Sequence, residues 1–209
     1  MDVRKEPHPN AEVLMKTTPF LAALIISAVL WSPVAAQDRG PGSGNGNGNG
    51  NGTGSGTWTP VQPATADEAK ALSFMREEER MAQDVYQFLS GKWNLKVFQN
   101  IAISEGRHTA AIGTLLTRYG LPDPSKGLPA GTYADPVLTS LYEQLVAKGS
   151  LSIKDALEVG IAIEGKDIAD LETALKSAEK VDIKRVYTNL MDASYSHAEA
   201  FESCLEIYN

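Results

Sequence analysis

The sequence is poor in cysteine, in positive charge and in long apolar runs, and each shortage removes a class of function. A single cysteine, Cys204, excludes a disulfide within the chain and any Cys-rich zinc or iron–sulfur centre. Cys204 is expected to be buried and inert, or else a route to a homodimer. A formal charge of −7 leaves no electrostatic footprint for nucleic acid or for anionic membrane surfaces. No Gly-rich phosphate loop follows a strand, because the repeated glycines lie in the Asn-Gly pairs of residues 40–57. Nothing marks a nucleophile or an oxyanion donor, so acid–base hydrolysis by Glu79 and Glu105 ranks low.

What is present divides into three parts. Residues 19–31, PFLAALIISAVLW, have the length of a signal-peptide apolar region and fall short of a comfortable membrane span. Lys16 precedes them, and Val34, Ala35 and Ala36 supply small residues before Gln37. Residues 1–36 are therefore read as an N-terminal extension and signal peptide cut near Ala36, which implies export to a periplasmic or extracellular space. An uncleaved anchor is the alternative. Met15 is a second candidate initiator beside Met1. Residues 37–64 form a Gly/Asn-rich linker that cannot bury enough surface to offset chain entropy. Residues 65–209 carry the folded domain, and a hydrophobic content of 43% supports a sizeable core.

From Ala64 onward the pattern is helical, without strand alternation. Thr65 to Glu68 fits a capping box, and Gly91 is expected to end the first helix. A second helix is expected from about Lys96 to Tyr119, stopped by Gly120 and Pro122. Asp135-Pro136 opens a short helix ending at Gly149. A third long helix runs from Ser152 to about Lys176, and a fourth from Asp182 nearly to the end. The expected fold is all-α: a four-helix bundle of ferritin-like arrangement, with one long crossover that contains a short extra helix.

Steps of three and four residues define the inward stripe of each long helix. These stripes are Leu72-Met75-Glu79-Ala82-Tyr86-Leu89, Phe98-Ile101-Glu105-His108-Ile112-Leu115-Tyr119, Leu157-Ile161-Glu164-Ile168-Leu171-Leu175 and Ile183-Tyr187-Leu190-Ser194-His197-Phe201. Each is apolar at both ends and polar near its middle. In a bundle, Glu79, Glu105, His108, Glu164 and His197 converge, with Asp167 one turn from Glu164. Neighbours three apart on a helix are about 5–6 Å apart at Cβ, so Glu105 with His108, and Glu164 with Asp167, are each able to share an ion. Buried carboxylates without partners cost several kcal/mol or turn neutral, and a divalent cation removes that penalty. Carboxylate oxygen with imidazole nitrogen suits iron or manganese, and zinc is compatible. Taken singly, each residue has a plainer reading. Glu79 could pair with Arg76, Arg80 or Arg107, His108 could be a satisfied core histidine, and Glu164 could lie on a helix margin. A buried polar network without metal, setting helix register, is a further reading.

The segments Glu79 to Tyr86, Ile101 to His108 and Arg185 to His197 resemble the metal-binding helices of rubrerythrins and ferritins. Residues 67–208 also resemble an uncharacterised ferritin-like family, domain of unknown function 2202, through Met75 to Glu79, Ser104 to His108 and Ile163 to Ile168. The resemblance implies Glu79, Glu105, His108, Glu164 and His197 as ligands of one or two iron ions. It also implies an oxygen- or peroxide-linked, ferroxidase- or peroxidase-like oxidoreduction. Ser194 departs from the pattern, which has a glutamate three residues before the histidine. Asp167 would then replace that carboxylate, or one strong and one weak site would remain. Tyr86, two turns from Glu79 or about 10 Å by helix rise, would quench a radical or be a core tyrosine bonded to a neighbour. Rubrerythrins carry a Cys-rich electron-transfer domain that one cysteine cannot build, so redox turnover would need an external reductant. A non-catalytic module with a structural metal is the alternative.

Overall fold

The computed structural model describes residues 62–208. The expected signal segment, 1–36, and the linker up to residue 61 lie outside the described residues. Among those described there are five helices and no strand: α1 (Ala66–Trp93), α2 (Lys96–Arg118), α3 (Pro136–Gly149), α4 (Ile153–Ser177) and α5 (Val181–Ile207).

Most helix ends follow local chemistry. Thr65 Oγ1 accepts from the Glu68 amide at 3.2 Å, and Glu68 Oε2 accepts from the Thr65 amide at 2.8 Å. The capping box of α1 is thus formed. Asp135 caps α3 ahead of Pro136, and Ser152 caps α4. The end of α1 differs from expectation. The helix runs through Gly91 and stops at Asn94, whose φ of 52° lies in the left-handed region. The Trp93 indole N–H donates to the Gly149 carbonyl at 2.8 Å, which holds the additional residues in register against the end of α3. Asn tolerates the left-handed turn that closes the helix.

α1 pairs with α2 and α4 with α5. The two hairpins then pack α1 on α4 and α2 on α5, so the four long helices form a closed ring, with α3 lying against α1 and α4. The apolar parts of the stripes separate into two main clusters. One gathers Leu72, Met75, Ile112, Leu171, Ile183 and Tyr187, and the other gathers Val85, Tyr86, Phe98, Leu157, Ile161 and Phe201. The half-buried Cys204 packs against the second cluster. The first cluster joins the start of α1 and α5 to the end of α2 and α4. Hence α2 and α4 run in the same direction, and the chain between them must return along the bundle. Between the two clusters lies the polar level that the stripes share.

The returning crossover is fastened to α1. Arg76 forms a two-pronged ion pair with Asp123 (Nη2–Oδ2 2.9 Å), and Arg80 donates to the Leu128, Pro129 and Thr132 carbonyls. Asp84 accepts from the Gly131 amide and the Tyr133 hydroxyl. Gly131 has φ +76°, and a Cβ there would meet the Tyr142 ring at 2.6 Å, so the strap needs glycine at this point. Glu77, buried, accepts from the Ala134 and Asp135 amides at 2.5 and 3.0 Å just before α3. Replacing Glu77 by Ala strands both amides. Equilibrium urea unfolding of Glu77→Ala should show a loss of about 2–3 kcal/mol, since hydrogen bonds to charged groups are worth about 1.5–3 kcal/mol. An unchanged midpoint would show that the strap does not depend on this carboxylate.

Candidate metal centre

Four helices bring their middle turns to one level. α1 supplies Glu79, α2 supplies Glu105 and His108, α4 supplies Glu164 and Asp167, and α5 supplies Ser194 and His197. Within α2, α4 and α5 these residues are three apart, so each pair shares a helix face. Glu79, Glu105 and Glu164 are each at most 2% exposed. The two histidines form the less deeply buried wall, with side chains 10% and 12% exposed. Their rings stack with centroids 5.6 Å apart.

Glu105 is the centre of the arrangement. Its Oε2 lies 2.8 Å from His108 Nδ1, which is also 3.2 Å from Glu79 Oε2. Its Oε1 lies 2.9 Å from His197 Nδ1, which is also 3.4 Å from Glu164 Oε2. Two triads result, Glu79–Glu105–His108 and Glu105–Glu164–His197, and the donor atoms within each lie within 4.8 Å of one another. The structure therefore brings together five of the six residues expected from sequence. Asp167 is outside both triads. Its Oδ2 accepts from the Ser194 hydroxyl at 2.6 Å, so the position without the expected glutamate is filled by a hydroxyl that holds a carboxylate from the neighbouring helix.

Of the plainer readings of single residues, that of His108 as a satisfied core histidine agrees with its two carboxylate contacts, whereas the pairing of Glu79 with Arg76 or Arg80 is not seen. Arg76 and Arg80 are engaged with the crossover, and Glu79 meets His108. Tyr86 is fully buried and donates to Glu164 Oε1 at 2.6 Å, a contact that its place on the stripe permits but does not reveal. Glu77 and Glu78 are buried as well, a result the stripe pattern misses because they fall on other faces of α1. The run of three consecutive glutamates in a core helix was the available signal.

The electrostatics are uneven. Burial alone would raise Glu105, but the close approach of His108 and His197 outweighs it and holds the carboxyl down to about 2. Burial opposes the charged imidazoles, yet the surrounding carboxylates win, raising His108 to about 11 and His197 to about 9. Burial and then the Glu105 charge push Glu164 up to about 7. Burial also drives Glu79 and Asp167 upward, with neighbouring carboxylates adding to it.

Two carboxylate oxygens of the layer, Glu79 Oε1 and Asp167 Oδ1, are buried without a hydrogen-bond partner, while Glu105 Oε1 and His197 Nδ1 face each other as an ion pair. Burying such groups unpaired is costly. Nitrogen and oxygen ligands sit about 2.0–2.2 Å from ions such as zinc, which places neighbouring donors about 3 Å apart. The His–carboxylate separations of 2.8–3.4 Å match that spacing as well as that of ion pairs, and the remaining donors of each triad lie within 4.8 Å. The donor set thus fits a cation, and each triad is a group that could hold one.

The uncharacterized protein domain DUF2202 matches residues 68–208 of the chain. The uncharacterized protein MJ0754 of Methanocaldococcus jannaschii is 46% identical over 149 residues, covering 71% of this chain and 80% of that protein. The crystal structure of hypothetical protein MJ0754 superposes with a TM-score of 0.70 at 45% identity, covering 73% of this chain and 87% of the other. A crystal structure of a DUF305 fragment from Deinococcus radiodurans gives a TM-score of 0.55 at 17% identity, covering 69% and 99%. The latter likeness is one of fold alone.

The raised histidines set the sign of a pH dependence for metal-free protein. His197 titrates near 6.5 when unfolded and near 9 when folded, so between these values the folded state binds more protons than the unfolded one. Its stabilisation is complete below about pH 6.5 and is lost as pH rises through 9. Chelator-treated protein should show a urea midpoint that falls across this window, and His197→Gln should flatten that fall. A midpoint that rises from pH 6.5 to 9 would contradict the assignment.

Proposed function

The chain belongs to the family of the uncharacterized DUF2202 domain, and we propose that it is an exported, ferritin-like metal-binding protein whose core takes one or two iron-type ions. The observation that carries this reading is the pair of triads sharing Glu105, together with the buried, unpartnered oxygens Glu79 Oε1 and Asp167 Oδ1. Glu79 and His108 would hold one position with Glu105, and Glu164 and His197 the other. Asp167 is the additional carboxylate at the edge of the layer. Carboxylate and imidazole donors without a thiolate favour iron, with manganese or zinc compatible. Two helical hairpins joined by a long crossover, with Glu-x-x-His on α2, support the ferritin-like assignment. Export to the periplasm or extracellular space rests on residues 19–36.

Bound iron would supply electron-transfer chemistry toward oxygen or peroxide, making the protein a ferroxidase- or peroxidase-like oxidoreductase. The chain's own residues prepare the layer for this. Glu105 spans both positions and keeps both Nδ1 atoms turned inward. Tyr86 takes one oxygen of Glu164 and leaves the other facing His197. Burial and then the charge of Glu164 push the Tyr86 hydroxyl upward, so it stays a donor. The two apolar clusters close the layer above and below. Turnover would draw on an external reductant, because Cys204 alone builds no electron-transfer centre.

One observation favours a second reading, a non-catalytic module whose metal is a structural clip or whose polar core is metal-free. Ser194 satisfies Asp167 by a hydrogen bond, which reduces the carboxylates left for a second ion. Elemental analysis of protein purified without added metal separates the metal-bound from the metal-free case. Anaerobic iron(II) followed by oxygen or peroxide separates catalyst from clip: oxidation no faster than in buffer, with a melting temperature that drops on chelation, would establish the clip.

Sharing of Glu105 gives the sharpest expectation. Glu105→Ala should abolish tight binding at both positions, whereas His197→Ala should retain one ion at Glu79 and His108. Ser194→Glu should raise capacity if the wild type holds a single ion. Metal titration followed by elemental analysis reads all three, and equal losses in Glu105→Ala and His197→Ala would remove the two-position scheme.

A further inference from the structure

Beside the central layer, on the seam between α1 and α4, lies a second group of charges that the metal reading does not use. Glu78 is 2% exposed although it is next to Glu79 on α1. Its Oε1 receives the Lys166 ammonium at 2.6 Å, while its Oε2 is buried with no hydrogen-bond partner. Lys166 also pairs with Asp170 one turn further along α4, and its ammonium lies 5.1 Å from the centroid of the Phe74 ring. The Lys166 and Asp170 side chains are 34% and 32% exposed, so this group reaches the surface. Asp167, next to Lys166 in the chain, is buried, carries an unpartnered Oδ1, and is bonded to Ser194 of α5. Exposure falls from Lys166 and Asp170, at about a third, to Asp167 at 6% and to Glu78 and Glu79 at 2% and 1%.

Glu78 and Asp170 are thus already occupied by one cation, the chain's own ammonium. Lys166 spans the seam between Glu78 on α1 and Asp170 on α4, and the second Glu78 oxygen is left without a partner beside it. A flexible four-carbon stem lets an ammonium leave such a position without backbone movement. We propose that Glu78, Lys166 and Asp170 form the port through which a divalent cation passes along the α1–α4 seam to Asp167 and the central layer, with Lys166 as the resident counter-ion that yields to it. The proposal rests on the metal reading above.

The test uses the full chain, stripped with chelator and mixed with cobalt(II) in a stopped-flow instrument, with equilibrium titration of the same samples. Glu78→Gln should take up cobalt about tenfold or more slowly, the scale at which charge-lined routes alter association rates. Its equilibrium stoichiometry should match wild type. Asp170→Asn, on the surface, should slow uptake in the same direction, and it carries the test if Glu78→Gln fails to fold. Glu199→Gln, an exposed change on α5, should leave the rate unaltered. Wild-type uptake rates in both Glu78→Gln and Asp170→Asn would overturn the port and leave the metal site standing, with passage beside the histidine wall in its place. Equal slowing in Glu199→Gln would also overturn it, since the effect would then belong to the field of the whole protein. A wild type that binds no cobalt at equilibrium would defeat the metal reading itself, and the port with it.

Discussion

Carboxylates and imidazoles are buried here in one layer between two apolar clusters, and the architecture answers to that constraint. An ionised carboxylate in such a place costs several kcal/mol unless paired, and several together repel one another. Four helices are needed to surround the layer. Each contributes polar residues at one depth and apolar residues to both sides of it. Glu105 is the anchor: it touches both imidazoles and holds its proton least tightly, while Glu79, Glu164 and Asp167 are driven the other way. A layer with one firmly ionised carboxylate among reluctant ones is electrostatically suited to a cation that satisfies several oxygens together.

α1 is the element on which the other parts converge. Consecutive helix residues point about 100° apart, since a turn takes 3.6 residues. Glu77, Glu78 and Glu79 therefore face three different neighbours: the amides ahead of α3, the Lys166 ammonium on α4, and the central layer. Arg76 and Arg80 bind the crossover on either side of them. Glu68 reaches further, accepting from the Glu179 and Lys180 amides and so tying the α4–α5 turn to the start of α1. The depth of Glu79 is thus held by contacts with the crossover and the α4–α5 turn as well as by its own packing. The connection that topology forces to be long also braces the helix carrying this carboxylate.

Ser194 stands where the ferritin-like resemblance implies a glutamate, and the carboxylate beside it comes from Asp167 on α4 instead. A hydroxyl at 194 is too short to enter the layer, but it fits beneath Asp167 and orients it. The two sides of the centre are unequal as a result. Tyr86 engages Glu164 on one side, and the Asp167–Ser194 pair lies at the edge of the layer.

Local pattern along the chain was enough to determine the helices, the caps at Thr65 and Asp135, and the inward faces that carry Glu79, Glu105, His108, Glu164 and His197. All of these depend on residues within a few positions of one another. The end of α1 was not determined in that way, because Trp93 is held by Gly149 across the fold and Asn94 takes the turn that Gly91 would otherwise make. The burial of Glu77 and Glu78, the bond from Tyr86 to Glu164, the pairing of Asp167 with Ser194 and the seat of Lys166 were likewise decided only in the tertiary structure. A stripe specifies which face of a helix turns inward. Which atom meets which depends on how far each helix is rotated and shifted against partners 27 to 88 residues away, and no local pattern encodes that.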